Sequence, residues 1–287
     1  MSRPDAAALR IDGPSPEVEE IEIKLLLEGI ELRYGYDFRE YAMNPLRRGI
    51  YAAMAHEHVS TISAYQDRIL RDGDCMRRFL GSVGVNVTGM FRDPDMMRAV
   101  REDVVPLMRT YPSSRVWVAG CATGEEAYAF AVMLEEEGAL DRCLIYATDL
   151  NEDMLTVART GSYPLDRVRR YEEGYRAAGG RGSLSDHYEV AGRSARFDRK
   201  LARRITWSRH NIVSEGSFND FHLIACANVL IYFRASLQVR AHRLLYDSLV
   251  RGGHLALGKR ESLVYSPDRD HYAQVRDGVN LFRKTRW

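Results

Sequence analysis

Residues 115–126 read Arg-Val-Trp-Val-Ala-Gly-Cys-Ala-Thr-Gly-Glu-Glu, and three kinds of local structure follow one another in them. Arg115 to Ala119 is a short apolar run of the kind that fills a buried strand. Gly120-Cys-Ala-Thr-Gly124 is a loop, and a helical pattern starts at Glu125 and continues to about Glu137. The same succession recurs downstream. Cys143-Leu-Ile-Tyr-Ala-Thr runs into Asp149 and a helix through Arg159; His222-Leu-Ile-Ala-Cys leads to a helix after Ala235 that is expected to run to Val250. Gly252-Gly253 then reads as a turn into a further strand at His254-Leu-Ala-Leu-Gly. Strands alternating with helices place this part in the α/β class, with a parallel sheet joined by crossovers. Tyr272 to Arg283 alternates about Asp277-Gly278 and predicts a terminal hairpin.

Upstream of Arg115 the texture differs. Residues 1–16 hold Pro4, Gly13, Pro14 and Pro16 with few large apolar groups, and read as a mobile tail. From Glu17 the pattern is helical, with Val18, Ile21, Leu25 and Ile30 near helical spacing. Further helices are expected after Pro45, around Ile62 to Leu70 and from Cys75, which makes residues 17–90 a helical domain and 91–287 the α/β domain. Two domains also suit 287 residues at roughly 150 per domain.

Composition narrows the function classes. Hydrophobic residues are 45% and charged residues 28%, ordinary for a folded globular chain. Lys plus Arg (41) nearly balances Asp plus Glu (40), so a net charge of +1 exerts no global pull on nucleic acid or anionic lipid. The longest uncharged apolar stretch, Phe221 to Phe233, is too short and too polar to span a bilayer. No apolar segment behind the first residues resembles a secretion signal. Cys75, Cys121, Cys143 and Cys226 form no C-x-x-C pair and read as reduced core thiols of a cytoplasmic protein, with no metal site. Thr160 to His210 carries twelve Lys or Arg against six Asp or Glu, whereas residues 1–88 carry eleven against fourteen. That asymmetry suggests an acidic partner for the basic segment.

Two groups of residues carry chemistry. The 120–124 loop closes a strand, where glycine lets backbone approach a ligand at the carboxyl edge of a sheet. No Lys-Ser/Thr follows Gly124, so it is not a Walker loop. Glu125 and Glu126 suit a helix's first turn, where the macrodipole favours acids, but they would repel a pyrophosphate. They favour a cationic, phosphate-free nucleoside, which points to S-adenosylmethionine over NAD. Asp149 ends the next strand, where a carboxylate either accepts from both ribose hydroxyls or caps the following helix.

Four ordered motifs then resemble a known family. Asn86-Val-Thr88-Gly-Met-Phe91-Arg92-Asp93, Trp117-Val-Ala-Gly120-Cys-Ala-Thr-Gly124-Glu-Glu126, Ala147-Thr-Asp149-Leu-Asn and Cys226-Ala-Asn228-Val-Leu-Ile-Tyr232-Phe233 are similar, in order and separation, to the motif series of CheR-type chemotaxis receptor methyltransferases. The resemblance extends over about residues 17–285. It implies a helical N-terminal domain, a class I (Rossmann-like) methyltransferase sheet and a small β-subdomain inserted at about 163–208. It also implies methyl transfer from S-adenosylmethionine, leaving S-adenosylhomocysteine, to the side-chain carboxylate of glutamates in the cytoplasmic domain of a chemoreceptor-like protein. No nucleic acid and no membrane insertion are implied.

By the same resemblance Asn86, Thr88 and Arg92 line the cofactor and acceptor site, and Gly120 shapes its loop. Glu126 takes the amino acid end of the cofactor, Asp149 the ribose, Asn211 with Ile212 the adenine, and Asn228 and Tyr232 flank the methyl donor. Arg92 and Tyr232 are the candidate catalytic residues. The family usually has Arg before the Asn of the fourth motif, where this chain has Ala227, and its second helix is richer in arginine than Leu46–His58 with Arg47 and Arg48 alone. Rival readings are a methyltransferase of another acceptor such as RNA, and a cofactor-binding scaffold without turnover.

Overall fold

The computed structural model describes residues 15–83 and 88–286. The tail expected over 1–16 lies almost wholly outside them, and so does Asn86. The chain divides into two compact units, Met1–Val83 and Gly84–Trp287.

Among the described residues the first unit holds four helices: α1 (Pro16–Tyr34), α2 (Met43–His56), α3 (Ile62–Arg71) and α4 (Gly73–Val83). Ser15 opens α1 by accepting the Val18 N–H at 3.4 Å, with Pro16 in the first turn where its missing N–H costs nothing. Pro45 likewise sits inside the first turn of α2, which begins two residues earlier than expected. The apolar face of α1 is not the expected one. Ile23, Leu26, Leu27 and Ile30 are buried, whereas Val18, Ile21 and Leu25 remain about half exposed. The helix carries two apolar stripes, and the denser one takes the core. Glu57, between His56 and His58, is buried and paired with Arg68 at 2.9 Å and with Arg78, whose hydrogen bond chiefly holds its carboxyl below the usual range.

The second unit runs α5 (Pro94–Ala99), a π-helical turn (Val100–Val104), α6 (Val105–Met108), β1 (Ser114–Ala119), α7 (Glu125–Glu136), β2 (Cys143–Asp149), α8 (Glu152–Thr160), β3 (Ser162–Pro164), α9 (Leu165–Arg169), α10 (Glu172–Ala177), β4 (Tyr188–Ala191), β5 (Ser194–Phe197), α11 (Arg199–Ala202), β6 (Ile205–Arg209), β7 (Phe221–Cys226), α12 (Ala235–Asp247), β8 (Leu249–Leu257), β9 (Tyr272–Gln274) and β10 (Leu281–Lys284). The main sheet has the order β6-β2-β1-β7-β8-β10-β9. Its first five strands pair in parallel, and β10 runs antiparallel to β8 and β9 as a closing hairpin. β1 and β7 are buried almost throughout because helices cover both sheet faces, which is why they read as unbroken apolar runs. The four cysteines are free and buried. Among the described residues no helix is long and apolar enough to cross a membrane.

Two expectations are corrected. The inserted segment is shorter than 163–208: its sheet, β3-β5-β4, ends at Phe197, and Ile205–Arg209 is β6, a parallel edge strand of the main sheet paired with β2. Gly252-Gly253 makes no turn between helix and strand. α12 stops at Asp247, and the glycines lie inside β8, where Gly252 (φ +76°) accompanies a register irregularity opposite Phe221–Leu223.

Candidate active site

The loops after β1 and β7 and the segment from Thr88 to Asp93 meet at one cleft at the carboxyl edge of the sheet, the place where open α/β sheets bind ligands. After β1 the chain reverses at Gly120 (φ +71°), and the N–H groups of Gly120 and Cys121 both donate to the Thr148 carbonyl at 2.8 and 2.9 Å. A Cβ at residue 120 would stand 2.4 Å from Val229 Cγ2, so only glycine lets the second and fourth motifs approach this closely.

The two acids at the start of α7 have different fates. Glu125 is fully buried; it accepts the Thr123 hydroxyl at 2.6 Å and faces the Arg167 guanidinium at 2.9 Å. Arg167, on α9 of the basic segment, also donates to the Thr88 carbonyl at 2.9 Å, so it braces the cleft wall from behind. Glu126 is half-buried and lines the cleft with Thr88, Arg92, Asp93, Gly120 and Asn228. Burial, then the charges of Glu261 and Asp93, push its carboxyl up to about 7 against the pull of Arg92.

Asp149 closes β2. One oxygen accepts the Ala122 N–H at 2.8 Å and the other the Asn151 N–H at 2.9 Å. Burial raises its carboxyl while the N–H groups of Asn151, Ala122 and Leu150 pull it back. The cap of α8 is Asn151, which accepts the Asp153 N–H at 2.9 Å. The His210 N–H donates to the Asp149 carbonyl at 3.2 Å, which sets Asn211 and Ile212 beside it; Asn211 itself accepts the Val213 N–H at 3.0 Å.

Beyond β7, Asn228 adopts a left-handed conformation (φ +62°), and Tyr232 ends the one-turn helix Leu230–Tyr232 that follows. Thus Thr88, Arg92, Gly120, Glu126 and Asn228 share the cleft. Asp149 joins it through Ala122, Asn211 and Ile212 flank Asp149, Tyr232 lies on the Asn228 turn, and Asn86 is outside the described residues.

Sequence reasoning missed two residues. Arg167 looked like part of a solvated basic run. Glu261, 6% exposed, accepts the N–H groups of Asn228, Val229, Leu230 and Gly258 at 2.7–2.9 Å. The cleft partners of Arg167, Glu125 and the Thr88 carbonyl, are remote in sequence, and those of Glu261 are backbone N–H groups, so neither leaves a residue-type pattern.

The donor set fits S-adenosylmethionine. Carboxylates of Glu126 and Asp93 line the cleft with Glu261 behind them, and they suit a ligand with ammonium and sulfonium charges; a pyrophosphate would meet the same groups unfavourably. The family model described as CheR methyltransferase, SAM binding domain, matches residues 86–279, and that described as CheR methyltransferase, all-alpha domain, matches residues 21–83. The Pseudomonas putida protein named Cher3 is 43% identical over 266 residues, 93% of this chain and 97% of its own. A chemotaxis protein methyltransferase of Listeria innocua is 28% identical over 236 residues, 82% of this chain and 87% of its own. Chemotaxis protein methyltransferase 1 of Pseudomonas aeruginosa is 27% identical over 238 residues, 79% and 84% of the two chains. With the helical unit and the sheet-bearing unit each matched by one of the two family models, the chain belongs to the CheR methyltransferase family, S-adenosylmethionine-dependent enzymes whose general function is the methylation of receptor glutamates.

Proposed function

We propose that this chain transfers a methyl group from S-adenosylmethionine to the γ-carboxylate of glutamates in the cytoplasmic domain of a chemoreceptor-like protein, and that it works in the cytoplasm. The observation that carries this reading is the cleft itself, which sets the carboxylate of Glu126 and the guanidinium of Arg92 around one space beside Asn228. S-adenosylmethionine supplies a methyl on a cationic sulfur. An acceptor glutamate, with an ordinary pKa of about 4.3, is already a nucleophilic carboxylate at pH 7. No general base is needed, and what remains for the protein is alignment and exclusion of water.

In this reading Glu126 takes the ammonium end of the cofactor and Asp149 the ribose diol. Gly120, Thr88 and Asn228 shape the wall around it, Asn211 with Ile212 flanks the adenine, and Asn86 is assigned to the cofactor by the resemblance alone. Arg92 holds the acceptor carboxylate and Tyr232 orients it. The exposed Arg193, Arg196, Arg199 and Arg203 of the basic segment face an acidic partner surface, whereas Arg167, Arg176 and Arg181 are taken up by Glu125, Glu172 and Glu137.

The raised carboxyl of Glu126 gives a signed expectation. Below pH 7 the empty site holds Glu126 neutral, and the cationic cofactor needs it ionised. Affinity for S-adenosylmethionine therefore rises with pH, by up to about tenfold per unit, and levels off above pH 7. Calorimetric titration from pH 5.5 to 8.5 measures the slope, and Glu126→Gln should flatten it. The stability of the empty protein runs the other way: a carboxyl raised on folding stabilises below its unfolded pKa and loses that contribution as pH climbs through 7. Glu126→Gln should accordingly melt higher than the parent at pH 8.

Ala227 lines the cleft where the resembling family carries Arg. Ala227→Arg should add a donor there and tighten cofactor binding by roughly 1–2 kcal/mol, the worth of a hydrogen bond to a charged group less side-chain ordering. A lowered melting temperature with no gain in affinity would mean that the space is already filled.

A further inference from the structure

The turn Asn228–Leu230 is held in an unusual way. Its first residue sits at φ +62°, a conformation that costs a side-chain-bearing residue free energy unless its surroundings impose it. The imposing group is the carboxylate of Glu261. Oε1 accepts the N–H groups of Val229 and Leu230, both at 2.8 Å, and Oε2 accepts those of Asn228 at 2.9 Å and Gly258 at 2.7 Å. The segment that carries Glu261 is itself fixed on two sides. Asn280 Nδ2 donates to the carbonyls of Gly258 and Glu261 at 2.9 and 2.7 Å, and Lys259 reaches Asp95 at 3.2 Å and Asp93 at 3.6 Å, next to Arg92. A brace from the end of β8 thus ties the Asn228 turn to the segment that carries Arg92.

We infer that Glu261 is a positioning residue for methyl transfer: its buried carboxylate fixes the Asn228–Tyr232 turn in the conformation that aligns the acceptor with the methyl donor. The inference rests on the function proposed above and deepens it. Glu261 does not line the cleft and so makes no contact with the cofactor, although its charge helps hold the Glu126 carboxyl up.

Two variants test it. Glu261→Gln keeps the volume but replaces one oxygen with an NH2 group, which confronts two of the four N–H donors with another donor. Gly258→Ala keeps Glu261 and adds a Cβ 2.9 Å from its Oε2 and 3.1 Å from the Asn228 nitrogen, which displaces the carboxylate by another route and decides the matter if Glu261→Gln does not fold. The readouts are calorimetric affinity for S-adenosylmethionine and kcat for methyl transfer to receptor-bearing membranes. At pH 8.5, where Glu126 is ionised with or without the Glu261 charge, the inference expects kcat to fall by about tenfold or more with affinity within about threefold, since small misplacements cost rate steeply. Variants with unchanged kcat, or with affinity lost and kcat kept, would overturn it. If the parent protein neither binds the cofactor nor labels the membranes, the proposed function fails and the inference goes with it. A fully active parent with equally active variants sinks the inference alone.

Discussion

Asp149→Ala lowers affinity for S-adenosylmethionine by well over tenfold. Two ribose hydroxyls donating to one carboxylate make charge-assisted hydrogen bonds of roughly 1.5–3 kcal/mol each, and about 1.4 kcal/mol corresponds to a factor of ten. The same substitution also removes the acceptor for the Ala122 and Asn151 N–H groups, so the loop lining the cleft loses one of its tethers to β2 and keeps those of Gly120 and Cys121 to the Thr148 carbonyl. A buried donor left unpaired costs about 1–3 kcal/mol, so the variant should also melt lower. Asp149→Asn separates the two effects: it keeps one acceptor oxygen for the loop and removes the charge. Titration of both variants should show weak binding in each, with the smaller loss of melting temperature in Asp149→Asn. Affinity unchanged alongside a lowered melt would reduce Asp149 to a loop brace.

Arg92→Ala reduces turnover by about a hundredfold or more while affinity for the cofactor changes only a few-fold. A guanidinium presents a planar pair of N–H donors that matches a carboxylate, and loss of that clamp forfeits most of the advantage of alignment. The small change in affinity has its own signature. Arg92 is the cation that pulls the Glu126 carboxyl down against burial, Glu261 and Asp93. Without it Glu126 ionises at higher pH, so the variant binds S-adenosylmethionine more weakly near pH 7 and recovers at pH 9. Turnover does not recover, because the acceptor clamp is still absent. Equal loss of binding and turnover at both pH values would move Arg92 into the cofactor site.

The parts of this fold that were legible are those whose residues meet the core on both sides. β1 and β7 announce themselves as apolar runs because helices cover both faces of the sheet there, and β2 reads as one too although its Leu144 is exposed. β6 did not: Ile205-Thr-Trp-Ser-Arg is an edge strand, half exposed and set in a basic stretch, so its pairing with β2 leaves little trace in composition. Gly252-Gly253 looked like a turn because a glycine pair marks broken structure whether the break is a turn or a bulge. On α1 the spacing allowed two apolar faces, and only packing chooses between them.

The site divides in the same way. Its motif residues were legible because their types and separations resemble a family's. Residue type alone does not separate Glu125 from Glu126, because both satisfy the dipole of the same first turn; the resemblance singled out Glu126, and it is Glu126 that lines the cleft while Glu125 is buried. Glu261 was invisible since its partners are four backbone N–H groups, and backbone carries no residue-type pattern.

The central claim is that the acceptor is a carboxylate on a receptor. Incubating the protein with S-adenosylmethionine tritiated in its methyl group and receptor-bearing membranes, then treating the washed membranes with mild base, tests it most directly. A glutamate methyl ester releases its label as volatile methanol, whereas RNA and N-methyl marks do not. The account predicts membrane-bound label that base releases as methanol and that Arg92→Ala largely abolishes. Label that withstands base, or cofactor binding with no label transferred at all, would contradict it.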